Sequence, residues 1–322
     1  GYPMASAGAA AIIGCGSNGP VFLCSIDAAG GPTELAPFWF DTSPGENQIM
    51  GHAGNVLLLR NGSQRSVWRT DGTAPGTFEV VAPVVEHYPH GTQYPRSVAS
   101  GSKVYFVVCG SPAYCELMSS DGSVAGTTSI APLPNAPVLS IAMAGQRVVL
   151  ALGVSSGPQL WSSDGTATGT SRVAFLPPGA GSRMVSVGRF AHLPIACDTC
   201  AERYVVTDGT VDGTRNRATP PTLAPTFTGA YDGGDVLFAV GAAAAVFTCK
   251  SQRTGTELCV ASADGSDIRL LADVYPGATG SRPLTLGSTP RTSYVLADDG
   301  THGAEIWKAA IADEAIFGAG FD

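Results

Sequence analysis

The chain has 322 residues, 44% of them apolar and only 14% charged, with 41 glycines, 23 prolines and a formal charge of −8. Its three lysines (Lys103, Lys250, Lys308) and scattered arginines form no cluster that could displace counterions from phosphates, which excludes nucleic acid and an anionic membrane surface as partners. The longest apolar stretch, Val236 to Thr248, contains Gly241 and is too short to span a bilayer.

Frequent Gly and Pro with little charge describe many short strands joined by turns. No segment shows a sustained 3.6-residue period, so almost no helix is expected. The chain begins at Gly1 with neither an initiator Met nor a signal peptide, as a processed secreted protein would.

From the amino terminus, residues 1–36 read as a first four-stranded unit with Cys15, Cys24 and the stretch Cys24-Ser25-Ile26-Asp27. Residues 37–81 open on Phe38-Trp39-Phe40-Asp41. They continue with a hairpin signal: Val56 to Leu59, an Asn61-Gly62 turn, and Arg65 to Arg69. Trp68-Arg69-Thr70-Asp71-Gly72-Thr73-Ala74-Pro75-Gly76-Thr77 follows, then a fourth strand to Val81. Residues 82–131 start with the polar and aromatic linker Glu86 to Arg96 and carry Cys109, Cys115 and Met118 to Thr127. Residues 132–174 carry Trp161 to Thr170, and residues 175–216 carry Cys197, Cys200 and Val205 to Thr214. Residues 217–271 hold Cys249, Cys259 and a weaker copy, Ala263-Asp264-Gly265-Ser266. In residues 272–322, Arg282 to Leu286, Thr292 to Ala297 and Ala304 to Ala309 read as strands one to three.

A D-G-[TS]-x-x-G-T element therefore recurs four times, and its Asp recurs at positions 27, 71, 121, 164, 208 and 264. Repeats of about 40 to 50 residues with turn signals mark propeller blades. The expectation is one all-β domain over 1–322, a β-propeller of about seven four-stranded blades, with six and eight as the neighbouring counts. Asp71, Asp121, Asp164 and Asp208 are read as structural turn residues. Each carboxylate would accept backbone N–H groups of its own loop, Gly would take positive φ, and the preceding Trp would pack between blades. The rival reading is a ligand-binding Asp in every blade.

Eight cysteines allow 105 pairings, and the repeat frame selects one. Cys15 with Cys24, Cys109 with Cys115, Cys197 with Cys200, and Cys249 with Cys259 each straddle strands two and three of a blade. Adjacent strands bring such pairs within bonding range. The rival is metal or redox chemistry at the lone CxxC, Cys197 to Cys200, which lacks a second CxxC and a βαβ context. Disulfides imply an oxidising compartment.

Glu116-Leu117-Met118-Ser119-Ser120-Asp121-Gly122, Gln159 to Thr170, and Asp298 to Trp307 resemble the ELWxxDGT-repeat family of bacterial extracellular propeller-like proteins. Ala272 to Ser281 is similar to that family's linker between repeats. The resemblance covers nearly the whole chain and is weakest in blades one and six. It implies a secreted or surface location and no particular activity.

Candidate ligand contacts are few. His87 and His90 could ligate a metal or exchange protons, and Tyr94, Arg96 and Trp39 could stack on sugar; the plain alternative is a packed loop. His52, His192 and His302 stand apart in sequence. Asp232, Asp235, Asp298 and Asp299 could hold calcium, but no D-x-D-x-D-G loop is present. No G-x-S-x-G or H-E-x-x-H motif appears, and a sialidase's arginine cluster and tyrosine nucleophile cannot be placed. No cofactor is expected. The leading expectation is a non-catalytic extracellular binding or adhesion module for a glycan or cell-surface protein. One alternative is a structural subunit that self-assembles into homo-oligomers through terminal segments bearing Ile316, Phe317 and Phe321. The other is a glycan-acting hydrolase or lyase using the His87/His90 loop.

Overall fold

The computed structural model describes residues 5–8, 10–15, 22–26, 30–36, 48–61, 66–82, 97–110, 114–178, 183–195, 202–218, 224–225, 237–288, 292–312 and 315–320. These form antiparallel strands and turns, and no helix among them is long and apolar enough to cross a membrane. The chain divides into two compact units. One is Gly1–Val138 with Gly165–Thr168; the other is Leu139–Asp164 with Gly169–Asp322.

The first unit is built from three up-and-down sheets. Sheet 1 runs β1 (Ala5–Ala7), β2 (Ala10–Cys15), β3 (Phe22–Ile26), β4 (Pro32–Ala36). Sheet 2 runs β5 (Gln48–Ala53), β6 (Val56–Asn61), β7 (Ser66–Thr70), β8 (Phe78–Val81). Sheet 3 runs β9 (Ser97–Ser100), β10 (Lys103–Gly110), β11 (Tyr114–Ser120), β12 (Thr128–Leu133).

The second unit repeats the plan. Sheet 4 holds β13 (Val138–Ala144), β14 (Arg147–Val154), β15 (Gly157–Ser163) and β16 (Ser171–Phe175). Sheet 5 holds β17 (Val185–Val187), β18 (Phe190–Pro194), β19 (Glu202–Thr207) and β20 (Arg215–Ala218). Sheet 6 has β21 (Ala224–Pro225), β22 (Leu237–Val240), β23 (Ala244–Ser251), β24 (Gly255–Ser262) and β25 (Ile268–Ala272), with β21 and β22 both pairing β23. Sheet 7 holds β26 (Leu284–Ser288), β27 (Thr292–Asp298), β28 (Ala304–Ala312) and β29 (Ala315–Gly320).

Successive side chains of a strand point to opposite faces, so a strand buried on both faces reads as an unbroken apolar run. In β6, Leu57 and Leu59 join a core with Ile12 and Leu23 of sheet 1, while Leu58 joins Val104 and Phe106 of sheet 3. In β19, Tyr204 and Val206 meet Phe247 of sheet 6, while Val205 meets Val149 and Leu160 of sheet 4. Within each unit neighbouring sheets thus pack face to face, and the apolar runs in the middle strands follow from that. Trp68 packs on the core between sheets 1 and 2, and its Nε1–H is satisfied by Ser66 Oγ at 2.9 Å.

The pairing of the third and fourth strands slips at one repeated place. The register shifts at Leu23/Cys24, Val67/Trp68, Leu117/Met118, Leu160/Trp161 and Leu258/Cys259. A bulge bends and re-aims a strand, and in these five sheets it falls at the same place in the third strand, whereas in sheet 5 the shift lies earlier, between Glu202 and Tyr204. It also aligns the repeats independently of residue type, which places Cys24 and Cys259 where Trp68 and Trp161 stand.

Candidate functional site

The repeated turn follows the third strand of its sheet. At Asp71, Oδ1 accepts the Thr73 N–H (3.0 Å) and Thr73 hydroxyl (2.7 Å). Thr73 Oγ1 in turn accepts the Gly76 N–H at 3.0 Å. The Thr77 hydroxyl donates to the Thr73 carbonyl at 2.7 Å, and Thr70 Oγ1 accepts the Gly72 N–H at 3.0 Å. Asp121 with Ser123, and Asp208 with Thr210, repeat this network bond for bond. Hydrogen bonds from Thr73 and Ser123 hold the Asp71 and Asp121 carboxyls below their usual range. At Asp208 burial pushes upward and is outweighed by the Thr210 bonds.

Both glycines of the element have a geometric reason. A Cβ on Gly76, Gly126, Gly169 or Gly213 would overlap the carboxylate of Asp71, Asp121, Asp164 or Asp208. The first glycine has positive φ, 91° at Gly72 and 88° at Gly122, and it also touches the preceding sheet. A Cβ there would lie 2.9 Å from the Ala7 carbonyl or 2.8 Å from Val56 Cγ1. In these loops the Asp is a turn brace whose Oδ1 faces its own loop, and Asp71 Oδ2 also pairs with Arg69 of β7 at 2.9 Å.

Sheets 6 and 7 depart from this pattern. Two residues are added before the turn aspartate of sheet 6, and Asp264 Oδ1 takes the Ser266 N–H, the Ser266 hydroxyl and the Ser262 hydroxyl. Those bonds, the Ser266 hydroxyl first, lower the Asp264 carboxyl to about 2. One strand earlier, fully buried Glu257 clamps the segment leading to sheet 7. Its Oε1 accepts the Tyr275 and Ser281 N–H groups at 3.0 and 2.9 Å, and Oε2 accepts the Ser281 hydroxyl at 2.5 Å. Burial pushes its carboxyl upward against those bonds.

In sheet 7 the Asp-Gly-Thr tripeptide sits between strands two and three, linking β27 to β28. Asp299 Oδ1 accepts the N–H groups of Thr301 (2.7 Å) and His302 (2.8 Å), and its Oδ2 lies 2.7 Å from His302 Nδ1. The His302 N–H is the first cause that brings the Asp299 carboxyl down to about 2, and the bond to Asp299 raises the His302 imidazole. Glu305 completes a group whose ligand atoms all lie within 4.8 Å of one another, the one such group of three among the described residues. His302 is therefore not isolated as the sequence suggests.

His192 is also partnered. It is fully buried in β18, with Nε2 2.7 Å from the Ala263 carbonyl and Nδ1 3.1 Å from the Tyr204 hydroxyl. A carbonyl only accepts, so Nε2 carries the proton and Nδ1 accepts from Tyr204. The side chain ties sheet 5 to the turn of sheet 6. Burial lowers its imidazole to about 4, against smaller opposing effects of Ala263 and Asp264. Neither His192 nor His302 has a serine hydroxyl among these partners.

Three cysteine pairs are disulfides: Cys15–Cys24, Cys109–Cys115 and Cys249–Cys259, with Cα separations of 5.9, 4.0 and 5.8 Å. Each joins strands two and three of its sheet. Cys109 stands directly opposite Cys115, while the other two pairs are diagonal. Cys197 and Cys200 lie outside the described residues, as do His87, His90, Tyr94, Arg96, Trp39, Asp232 and Asp235.

No family model matches the sequence, and no curated protein matches it. Solved structures do. A puromycin hydrolase variant complexed with PGG is similar over 99% of this chain and 53% of its own, with a TM-score of 0.50 and 12% identity. A structure from a study of two prolyl endopeptidases is similar over 98% of this chain and 49% of its own, with a TM-score of 0.50 and 9% identity. The β-propeller domain of the Trilobed protease from Pyrococcus furiosus matches over 98% of this chain and 97% of its own, with a TM-score of 0.47 and 9% identity. The chain spans about half the length of the puromycin hydrolase and prolyl endopeptidase chains it matches.

The class is thereby defined: an all-β protein of the β-propeller fold. The expectation of a non-catalytic adhesion or glycan-recognising propeller is corrected, because chains of a puromycin hydrolase variant and of a prolyl endopeptidase study align along 98–99% of this chain. The glycan-acting hydrolase built on the His87/His90 loop falls with it. The self-assembling subunit loses its basis as well. The terminal strands β1 and β29 are hydrogen-bonded within their own sheets, to β2 and β28, with Phe317 opposite Ala310.

Proposed function

We propose that this chain is an extracellular, peptidase-associated propeller. It receives peptide substrate and controls its access to a catalytic domain that the residues described here do not supply. The observation that carries this reading is the alignment of 98% of the chain with about half of a prolyl endopeptidase. An extracellular location is supported by the three disulfides, since such bonds persist in oxidising compartments. Membership of the ELWxxDGT-repeat family belongs to the same reading. It is supported by the bulge that recurs immediately before the turn element.

The test is fluorescence anisotropy of the oxidised protein with a panel of dye-labelled, proline-containing peptides, alongside labelled oligosaccharides. Saturable binding of unstructured peptides, competed by unlabelled peptide, supports the reading. Failure of every peptide in the panel to bind removes it. Thiol titration of protein harvested from culture medium without reductant addresses location: no reactive thiol at the six described cysteines is expected, and free thiols there contradict an oxidising compartment.

A further inference from the structure

The Asp299 loop differs from the Asp71, Asp121, Asp208 and Asp264 turns in that its carboxylate faces a histidine. In the Asp71, Asp121 and Asp208 turns Oδ1 closes on the turn's own amide and hydroxyl, and Asp71 Oδ2 accepts from the Arg69 guanidinium at 2.9 Å. In the loop between β27 and β28, Asp299 Oδ1 is fixed by two backbone N–H groups, and Oδ2 is aimed at the His302 imidazole instead. Glu305 is the second residue of β28 and pairs with Ala297 of β27, so the sheet ladder sets its position. Gly300 and Gly303 take φ of 78° and 84°, which folds the chain back so that residues 299, 302 and 305 converge. The result is one imidazole nitrogen and two carboxylates within 4.8 Å of one another, in a chain of net negative charge.

We propose that Asp299, His302 and Glu305 form a binding site for a divalent transition-metal cation such as Zn²⁺. Three protein ligands of this kind leave coordination positions open to water or to an incoming group. The imidazole selects against calcium, which takes six to eight oxygen ligands, and favours zinc-like cations. The backbone bonds to Asp299 Oδ1 act as the outer-shell support that orients a metal-ligating carboxylate. On binding, the cation replaces the proton shared between His302 Nδ1 and Asp299 Oδ2, so metal uptake releases a proton when His302 is protonated. Asp298 is not one of the three converging residues, and its Oδ1 accepts the Gly300 N–H at 2.7 Å.

The experiment is isothermal titration of ZnCl₂ into chelator-stripped, oxidised protein, for the parent, His302→Ala, Glu305→Gln and the control His52→Ala. The parent and the control are expected to bind one zinc per chain. His302→Ala and Glu305→Gln are expected to weaken that binding at least about tenfold, while metal-free unfolding midpoints stay unchanged. Absence of binding in the parent overturns the proposal. So does binding that survives both substitutions, which would place the cation elsewhere in the chain. Displacement by calcium at equal concentration overturns the stated metal preference.

Discussion

The Asp121 turn of sheet 3 and the Asp299 loop of sheet 7 share the letters Asp-Gly followed by a hydroxyl residue, yet they do different work. Asp121 Oδ1 closes on Ser123, its loop abuts Val56 of the neighbouring sheet, and it joins strands three and four. Asp299 joins strands two and three and holds His302 in reach of Glu305. Position in the blade, more than the tripeptide, decides whether the carboxylate braces a turn or faces a cluster of ligands.

The largest expected effect contrasts two glycines. Gly122→Ala meets both a left-handed φ and Val56 at 2.8 Å, whereas Gly303→Ala meets the φ alone, with nothing near the added carbon. Chemical denaturation is expected to show a loss of about 4 kcal/mol for Gly122→Ala and about 1 kcal/mol for Gly303→Ala. Equal losses would mean that the sheet 3 turn does not lock against sheet 2.

The next effect comes from the histidine that binds sheet 5 to the turn of sheet 6. His192 is neutral when folded, with its imidazole lowered from 6.5 to about 4. Its contribution is complete above pH 6.5, declines as pH falls through the window to 4, and is flat below it. The loss amounts to about 3 kcal/mol. Glu257, raised by burial, acts in the opposite sense. The pH series should therefore compare the parent with His192→Phe, whose stability is expected to change less between pH 7.5 and 4.5. An identical pH dependence in both would remove the histidine as the cause.

Replacing Cys249 and Cys259 together by Ser is expected to cost about 2 kcal/mol, since the closed loop is short. Calorimetry under non-reducing conditions reads this directly, and an unchanged midpoint would mean that the bridge contributes nothing to the sheet 5–6 core in which both sulfurs are packed.

Much of the fold was legible because repetition multiplies a weak signal: one Asp-Gly is a turn, but several at blade spacing are an architecture. Three of the four expected disulfide pairs followed from the same frame. Less was legible wherever partners lie far apart in sequence. His192 and Ala263 are 71 residues apart, and Glu257 and Ser281 are 24 apart; neither pair carries a local pattern. The Asp299 cluster was half visible, as aspartates read for calcium and a histidine read as isolated, because both were assigned to the turn that the repeat made familiar. The sugar-contact candidates were chosen for polar and aromatic density and lie outside the described residues.

The most direct test pairs Asp121→Ala with Asp299→Ala, measuring unfolding midpoints with and without zinc. Asp121→Ala removes a turn brace and is expected to cost about 1 kcal/mol while keeping the zinc-induced rise of the parent. Asp299→Ala loses its bonds to the Thr301 and His302 N–H groups, so its metal-free midpoint is expected to fall as well, and the zinc-induced rise is expected to vanish. Zinc that still raises the midpoint of Asp299→Ala, or that no longer raises that of Asp121→Ala, would contradict the division of labour between the two loops.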